Sequence, residues 1–155
     1  MTHFLHFQPV KIEDINWIYE ALQQTALENK VSDRFTLTPE KLEEMLFKKP
    51  FLAEALMAYV DQQVVGFILF SITNRNFNLF PTPGFYIHNF YVAPEFRRQK
   101  IGTQLLNNLK IKAQDLGYCR IDWVVLNNNV EGDKFFKSYE GTKKVDYISY
   151  QRIYL

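Results

Sequence analysis

Phe85-Tyr86-Ile87-His88-Asn89-Phe90-Tyr91-Val92-Ala93-Pro94-Glu95-Phe96-Arg97-Arg98-Gln99-Lys100-Ile101-Gly102-Thr103 is the stretch from which the fold can be read. An apolar, aromatic-rich run reads as a strand. A Pro-containing turn follows, then a cluster of cations and small residues, then a helix. In that order the residues build an anion cradle from backbone N–H groups at a helix N-terminus, which points to a nucleotide-type cofactor bearing a pyrophosphate.

The helix is written in the residues that follow. Ile101, Leu105, Leu109 and Ala113 repeat every four positions, with Gly102, Leu106 and Leu116 widening the stripe. Gln104, Asn107, Asn108, Lys110, Gln114 and Asp115 take the other side, and Gly117 stands where a left-handed residue ends a helix. One face is predicted to pack on a sheet. The first turn is left to meet an anion, with partial charge from unpaired amides and full charge from Arg97, Arg98 and Lys100. Three cations alone read equally well as a basic surface loop; their place between strand and helix argues for the cradle.

Outward from this stretch, residues 4–10 read as a first strand and 12–24 as a helix. A second helix starts at Thr38-Pro39-Glu40, with Thr38 as cap and Pro39 at the first helical position, and runs to about Phe47. Residues 54–60 and 64–73 form a hairpin around Asp61-Gln62-Gln63, the second strand apolar enough to be covered on both faces. A loop over 74–84 precedes the opening strand. A strand over 118–126, a short helix over 130–139 and two final strands within 143–155 follow the helix. Strand, helix and strand from 85 to 126 make a right-handed crossover and a parallel pair. The fold class is therefore α/β, a mixed and mostly antiparallel twisted sheet flanked by helices, with one parallel βαβ crossover. Residues 1–155 form a single domain.

Composition bounds the function. With 47% hydrophobic and 16% aromatic residues the chain has ample core material. A formal net charge of +1 gives no general attraction to nucleic acid or to membranes, so any anion site is local. A single cysteine, Cys119, excludes an intrachain disulfide and fits a reducing compartment; the start Met1-Thr2-His3-Phe4 lacks a basic leader, and no apolar run spans a bilayer. A cytoplasmic location is expected. His3 and His6 read as surface residues, and no His/Cys/Asp grouping has metal-ligand spacing, so no metal is expected.

Arg97-x-x-Lys100-x-Gly102-Thr103 resembles the Arg/Gln-x-x-Gly-x-Gly/Ala signature of the GNAT (GCN5-related) N-acetyltransferases. Residues 58–67 resemble that family's hairpin between its second and third strands. Asn129 and Phe135-Phe136-Lys137 resemble the Asn and Phe-Tyr-Lys of its last motif. The branch most similar is the diamine (spermidine/spermine and thialysine) acetyltransferases, whose strand reads Tyr-Leu-Glu-Asp-Phe-Phe-Val where this chain has Tyr86-Ile87-His88-Asn89-Phe90-Tyr91-Val92.

The resemblance implies acetyl-CoA as co-substrate, held by Phe90, Tyr91 and Val92 along its acetyl and pantetheine portions. Arg97, Arg98, Gln99, Lys100, Ile101, Gly102 and Thr103 would surround its pyrophosphate. Lys100 takes a place usually filled by glycine; it costs stability if the backbone there needs positive φ, and adds charge beside the phosphates if it does not. Asn129 and Phe136 complete the implied coenzyme contacts, Asn129 also being able to cap the helix that begins at Val130.

Transfer of acetyl to an amine needs a deprotonated amine, since an alkylamine with a pKa of ~10.4 is mostly charged at neutral pH. The branch's strand glutamate, credited with that step, corresponds to His88. An imidazole with an ordinary pKa of ~6.5 can serve as the base; the alternative is a packed strand histidine. The family's acid tyrosine corresponds to Phe136, which has no proton to give, and Tyr139 one turn later can replace it or simply pack. A thiol of pKa ~8.5 leaves readily, so the acid helps without being indispensable. The strand aspartate that resemblance assigns to a distal ammonium is Asn89. Glu28 and Asp33, between the first two helices, either form an acidic lip for the substrate or are solvated charges. The expected acceptor is thus a small primary amine, polyamine-like or amino-acid-like, reached through a ternary complex. A catalytically weak acyl-CoA-binding module serving as sensor or partner subunit is the alternative. The aromatic, β-branched end of the chain, 147–155, reads as an edge strand at the interface of a homodimer, or as a strand internal to the monomer.

Overall fold

Every residue from 65 to 70 is buried, as an unbroken apolar run requires of a strand covered on both faces. This run lies in β3 (Gln63–Thr73), the centre of a five-stranded sheet in the computed structural model, which describes residues 4–75, 78–146 and 149–154. Spatial order follows sequence order: β1 (Leu5–Pro9), β2 (Glu54–Val60), β3, β4 (Gly84–Val92) and β5 (Ile121–Trp123). The pairs from β1 to β4 are antiparallel, and β4 with β5 is parallel. The mixed sheet with one parallel crossover is the architecture expected from the sequence.

Side-chain alternation along β3 assigns the helices to the two faces. Phe67 and Leu69 join a core cluster with Ile15, Ile18, Ala21 and Leu22 of α1 (Ile15–Glu28) and Leu42 and Leu46 of α2 (Pro39–Phe47). Phe70 points to the other face, where Lys112 of α3 (Ile101–Asp115) lies 5.9 Å over its ring. The predicted stripe of α3 is the buried one: Leu105, Leu106 and Leu109 are essentially inaccessible, each worth about 1.5–3 kcal/mol of burial. Leu116 is exposed, because the helix ends one residue before it and Gly117 turns away at φ +72°.

Local chemistry fixes the entry of the helices. Thr38 Oγ1 accepts from the Lys41 N–H at 3.2 Å and Pro39 opens α2, as its sequence predicts. The first helix enters through a 3₁₀ turn over Ile12–Asp14 and extends further than expected, to Glu28. Asp14, buried, accepts from the Lys11 N–H at 2.8 Å with one oxygen and from the Tyr59 hydroxyl at 2.6 Å with the other, tying α1 to β2. His6, expected at the surface, is half-buried between the rings of Phe4 and Tyr59.

Two expectations are corrected. The last central strand is β5, three residues long, instead of 118–126, because its partner β4 turns away after Ile87. No strand forms among the described residues of 143–155, of which Tyr147, Ile148 and Leu155 lie outside the description. The side chains there have β propensity but no ladder to join, and Ile153 and Tyr154 are 86% and 81% exposed. The chain divides into two compact units, one ending at Val124 and one beginning at Val125. The sheet and α1 to α3 form the first. The second holds α4 (Val130–Ser138) and the C-terminal segment.

Candidate active site

The register of β3 against β4 breaks at one place: Leu69 faces Asn89 and Phe70 faces Ile87, which leaves His88 as the extra residue of a β-bulge. Across the ladder, partners share a face, so Ser71 with Tyr86, Leu69 with Asn89 and Phe67 with Tyr91 all lie on the face that carries α1. The rings agree, since Tyr91 meets Trp17 of α1 at 5.8 Å and Phe67 at 6.2 Å. His88 joins the same face. Its Nε2 is 2.8 Å from Ser71 Oγ, and its ring stands edge-on to Tyr86 at 5.1 Å. The bulge therefore places the consecutive residues His88 and Asn89 on one face, which a regular strand forbids. Desolvation of the ring lowers the His88 pKa below the ordinary imidazole value, so the neutral, proton-accepting form prevails at neutral pH.

Beyond the bulge β4 and β5 part. Their pairing consists of Phe85 with Ile121, Tyr86 with Asp122 and Ile87 with Trp123. The Ala93 N–H donates to Val65 O at 2.8 Å, and antiparallel alternation then directs the backbone groups of Phe90 and Val92 away from β3, toward the side where β5 has ended. This edge leads to the turn over Pro94–Phe96 and into α3. Arg98 and Lys100 are left-handed, at φ +65° and +63°, and Lys100 is the N-cap residue of α3. Each such residue costs about 1–2 kcal/mol where glycine would not. Among the described residues no backbone carbonyl accepts from the N–H groups of Arg98, Gln99 or Lys100. With the unpaired first-turn amides of Ile101, Gly102 and Thr103, they form a run of donors beside two exposed cations. Strained backbone and orphan donors together are what an anion site requires.

The remaining candidates are placed as follows. Arg97 is committed elsewhere: its Nε donates to Val92 O at 2.8 Å, its Nη2 lies 3.5 Å from Glu28 Oε2, and its guanidinium sits 5.7 Å over the Tyr91 ring. Glu28, at the end of α1, is thus paired with a cation and also accepts from Gln24 at 3.2 Å. Asp33 stands exposed on a 3₁₀ turn over Ser32–Arg34. Next to that turn a hollow of about 400 Å³ is lined by Tyr19, Gln23, Ala26, Ser32, Phe35, Thr36 and Leu37, none of them charged. In the second unit Asn129 caps α4, its Oδ1 accepting from the Gly132 N–H at 3.0 Å, and Phe136 is buried with its ring 5.2 Å from Phe135. Desolvation and the Glu140 carboxylate raise the Tyr139 phenol above its ordinary value, which keeps it protonated. Among the described residues no group of three or more His, Cys, Asp or Glu is placed to hold a metal ion. Ser71 went unnoticed in the sequence, where no motif distinguishes it.

Fold and site together define an α/β domain that offers an open strand edge and a helix N-terminus to a cofactor with an extended arm and an anionic centre. The comparisons with known proteins are of one kind. The chain belongs to the acetyltransferase (GNAT) family, whose family model matches residues 16–140. It is 26% identical over 143 residues to thialysine N-epsilon-acetyltransferase of Bos taurus, covering 87% of this chain and 82% of that protein. It is 32% identical over 77 residues to L-ornithine N5-acetyltransferase NATA1 of Arabidopsis thaliana, covering 50% of this chain but only 33% of the plant protein. Among solved structures, a ribosomal-protein-alanine N-acetyltransferase from Brucella melitensis superposes with a TM-score of 0.75 at 20% identity over 97% of this chain and 99% of that one. The aminoglycoside N-acetyltransferase AAC(6')-Iy in complex with CoA gives 0.72 at 16% identity over 98% of this chain and 97% of that one. The protein is an N-acetyltransferase, and acetyl-CoA is its acetyl donor. The donor-rich turn and open edge of β4 fit that molecule.

Proposed function

We propose that this chain transfers acetyl from acetyl-CoA directly to the primary amine of a small molecule, polyamine-like or amino-acid-like, within a ternary complex. The observation that carries the reading is the bulge: it sets a neutral imidazole and an amide side by side at the start of the part of β4 that runs past its pairing with β5 and on to the anion cradle. Acetyl-CoA brings the activated thioester. The backbone of Phe90, Tyr91 and Val92 lines its arm, and the amides of residues 98–103, with Arg98 and Lys100, meet its phosphates. Gln99, Ile101, Gly102 and Thr103 serve through their backbone. Arg97 acts at one remove, holding Val92 and Glu28. Asn129 and Phe136 are assigned to the coenzyme by resemblance; Asn129's cap on α4 is compatible with such a contact. His88 removes the amine proton, and Tyr139 donates one to the departing sulfur.

Asn89 and Glu28 bear on the acceptor. An amide in place of a carboxylate and a glutamate already paired with Arg97 favour an amine with little additional positive charge over a long polyamine. Asp33 is left as an outer acidic residue of the lip. We assign the protein to the cytoplasm as a homodimer. Among the described residues no helix is long and apolar enough to cross a membrane.

A thiol-release assay over a panel of amines tests the activity: amine-dependent release from at least one small primary amine is expected. Tight acetyl-CoA binding with no release from any amine class would instead identify a sensor or partner subunit. For the cradle, Gly102→Glu puts a carboxylate among the phosphate-binding amides and should weaken acetyl-CoA binding by about 2 kcal/mol or more. Unchanged affinity by calorimetry in the folded variant would move the phosphates elsewhere.

A further inference from the structure

The contact between Ser71 Oγ and His88 Nε2, at 2.8 Å, joins β3 to the bulged residue of β4. It exists because the bulge brings His88 onto the face that Ser71 already occupies opposite Tyr86. The groups around the imidazole are few. β3 supplies Ser71, β4 supplies Tyr86 edge-on at 5.1 Å, and the loop after β3 supplies Arg75, whose guanidinium lies 5.2 Å over the Tyr86 ring. Desolvation is the cause of the lowered His88 pKa, and the ring's hydrogen-bond partner is the Ser71 hydroxyl. The ring is therefore oriented by a hydroxyl, where catalytic imidazoles commonly lean on a carboxylate.

A neutral imidazole has one N–H and one lone pair, and the hydrogen bond made by one nitrogen determines what the other offers. Two directions are available. If the Ser71 hydroxyl donates to Nε2, the proton sits on Nδ1 and the ring presents no lone pair except through the hydroxyl. If Nε2–H donates to Ser71 Oγ, the Nδ1 lone pair is left for a proton from elsewhere. Resting on the assignment of His88 as the base, we propose that Ser71 is its positioning residue: Oγ accepts from Nε2–H, fixing the ring plane and the tautomer that leaves Nδ1 as the proton acceptor. The proton leaves the acceptor's ammonium nitrogen for Nδ1, either directly or across one water, giving a neutral amine and an imidazolium. The imidazolium remains bonded to Ser71 through Nε2–H. Serine suits this role in an active site that turns over, because a hydroxyl stabilises the imidazolium less than a carboxylate would and allows the proton to leave again.

Nitrogen NMR of the full-length protein labelled at histidine reads the tautomer without any substrate. We expect Nε2 protonated and Nδ1 bare in the wild type, a mixture of tautomers in Ser71→Ala, and the wild-type pattern restored in Ser71→Thr. In the acetyl-transfer assay Ser71→Ala should lower kcat about 10-fold and leave the KM for acetyl-CoA unchanged, with Ser71→Thr close to wild type. A bare Nε2 in the wild type, or a Ser71→Ala variant with unaltered tautomer and kcat, would overturn the proposal and leave His88 as the base. Full activity in His88→Ala would instead remove the base assignment itself, and the role of Ser71 with it.

Discussion

For His88, proposed above as the base, the sign of the pKa shift makes a kinetic forecast. Its folded pKa is lowered, so the proton-accepting form is reached below the ordinary imidazole value. On the base assignment, kcat/KM should rise with pH and level off at a midpoint below ~6.5. His88→Ala should cost about 10²-fold or more without changing acetyl-CoA affinity, as steady-state kinetics and calorimetry will report. Lys100 gives a second forecast. It holds a left-handed conformation at φ +63°, which costs a lysine about 1–2 kcal/mol, whereas glycine forfeits about 0.5–1 kcal/mol of chain entropy to reach it. Lys100→Gly should therefore be at least as stable as wild type, by up to about 1 kcal/mol in urea denaturation. A clear loss of stability would mean that the lysine side chain makes a compensating contact.

Among the elements, β4 is held against β3 at a glycine. A Cβ on Gly66 would come within 2.7 Å of the Tyr91 carbonyl, a backbone atom that can move only if the strand edge moves. Gly66→Ala should raise the KM for acetyl-CoA several-fold while the circular dichroism stays native; unchanged kinetics would show that the open edge is not where the coenzyme arm lies. The elements were largely legible beforehand. Thr38-Pro39, the four-residue repeat from Ile101 to Ala113 and the apolar run at 65–70 each state a local rule that tertiary packing did not override. The bulge was not legible, because a register shift is a property of two strands and His88-Asn89 carries no mark of it in one. The same event hid the pairing of Ser71 with His88. The partners of Arg97 were hidden for a related reason: spacing places it in the cradle motif, while Val92 O and Glu28 come from 5 and 69 residues away.

For the whole molecule, stability at high pH follows from the pair that joins α1 to the sheet. Burial and the hydrogen bond to Asp14 push the Tyr59 phenol from 10.0 to about 12. An unfolded tyrosine loses its proton near pH 10, and the folded one holds it until about pH 12. Between those values unfolding releases a proton, so this contribution, on the order of 2 kcal/mol, is complete below pH 10 and is lost as pH rises through the window. Tyr59→Phe should flatten that slope and cost about 1–3 kcal/mol at neutral pH by leaving the Asp14 carboxylate short of a donor. Assembly is the other question at this scale. Tyr150, Ile153 and Tyr154 are exposed among the described residues, and we expect a second copy to cover this end of the chain. Light scattering at micromolar concentration should give about twice the 18.4 kDa chain mass; a mass equal to that of one chain would exclude a stable dimer.

One consequence of the bulge concerns descent. His88 is supernumerary to the ladder: without it, Ile87 and Asn89 would follow one another in regular alternation, opposite the same partners they face now. The hydrophobic core thus makes no demand on the identity of residue 88. A lineage carrying this fold can exchange the side chain there, and with it the proton chemistry proposed for it, without first repairing the packing beneath it. Innovation at this position is decoupled from the selection that maintains the sheet.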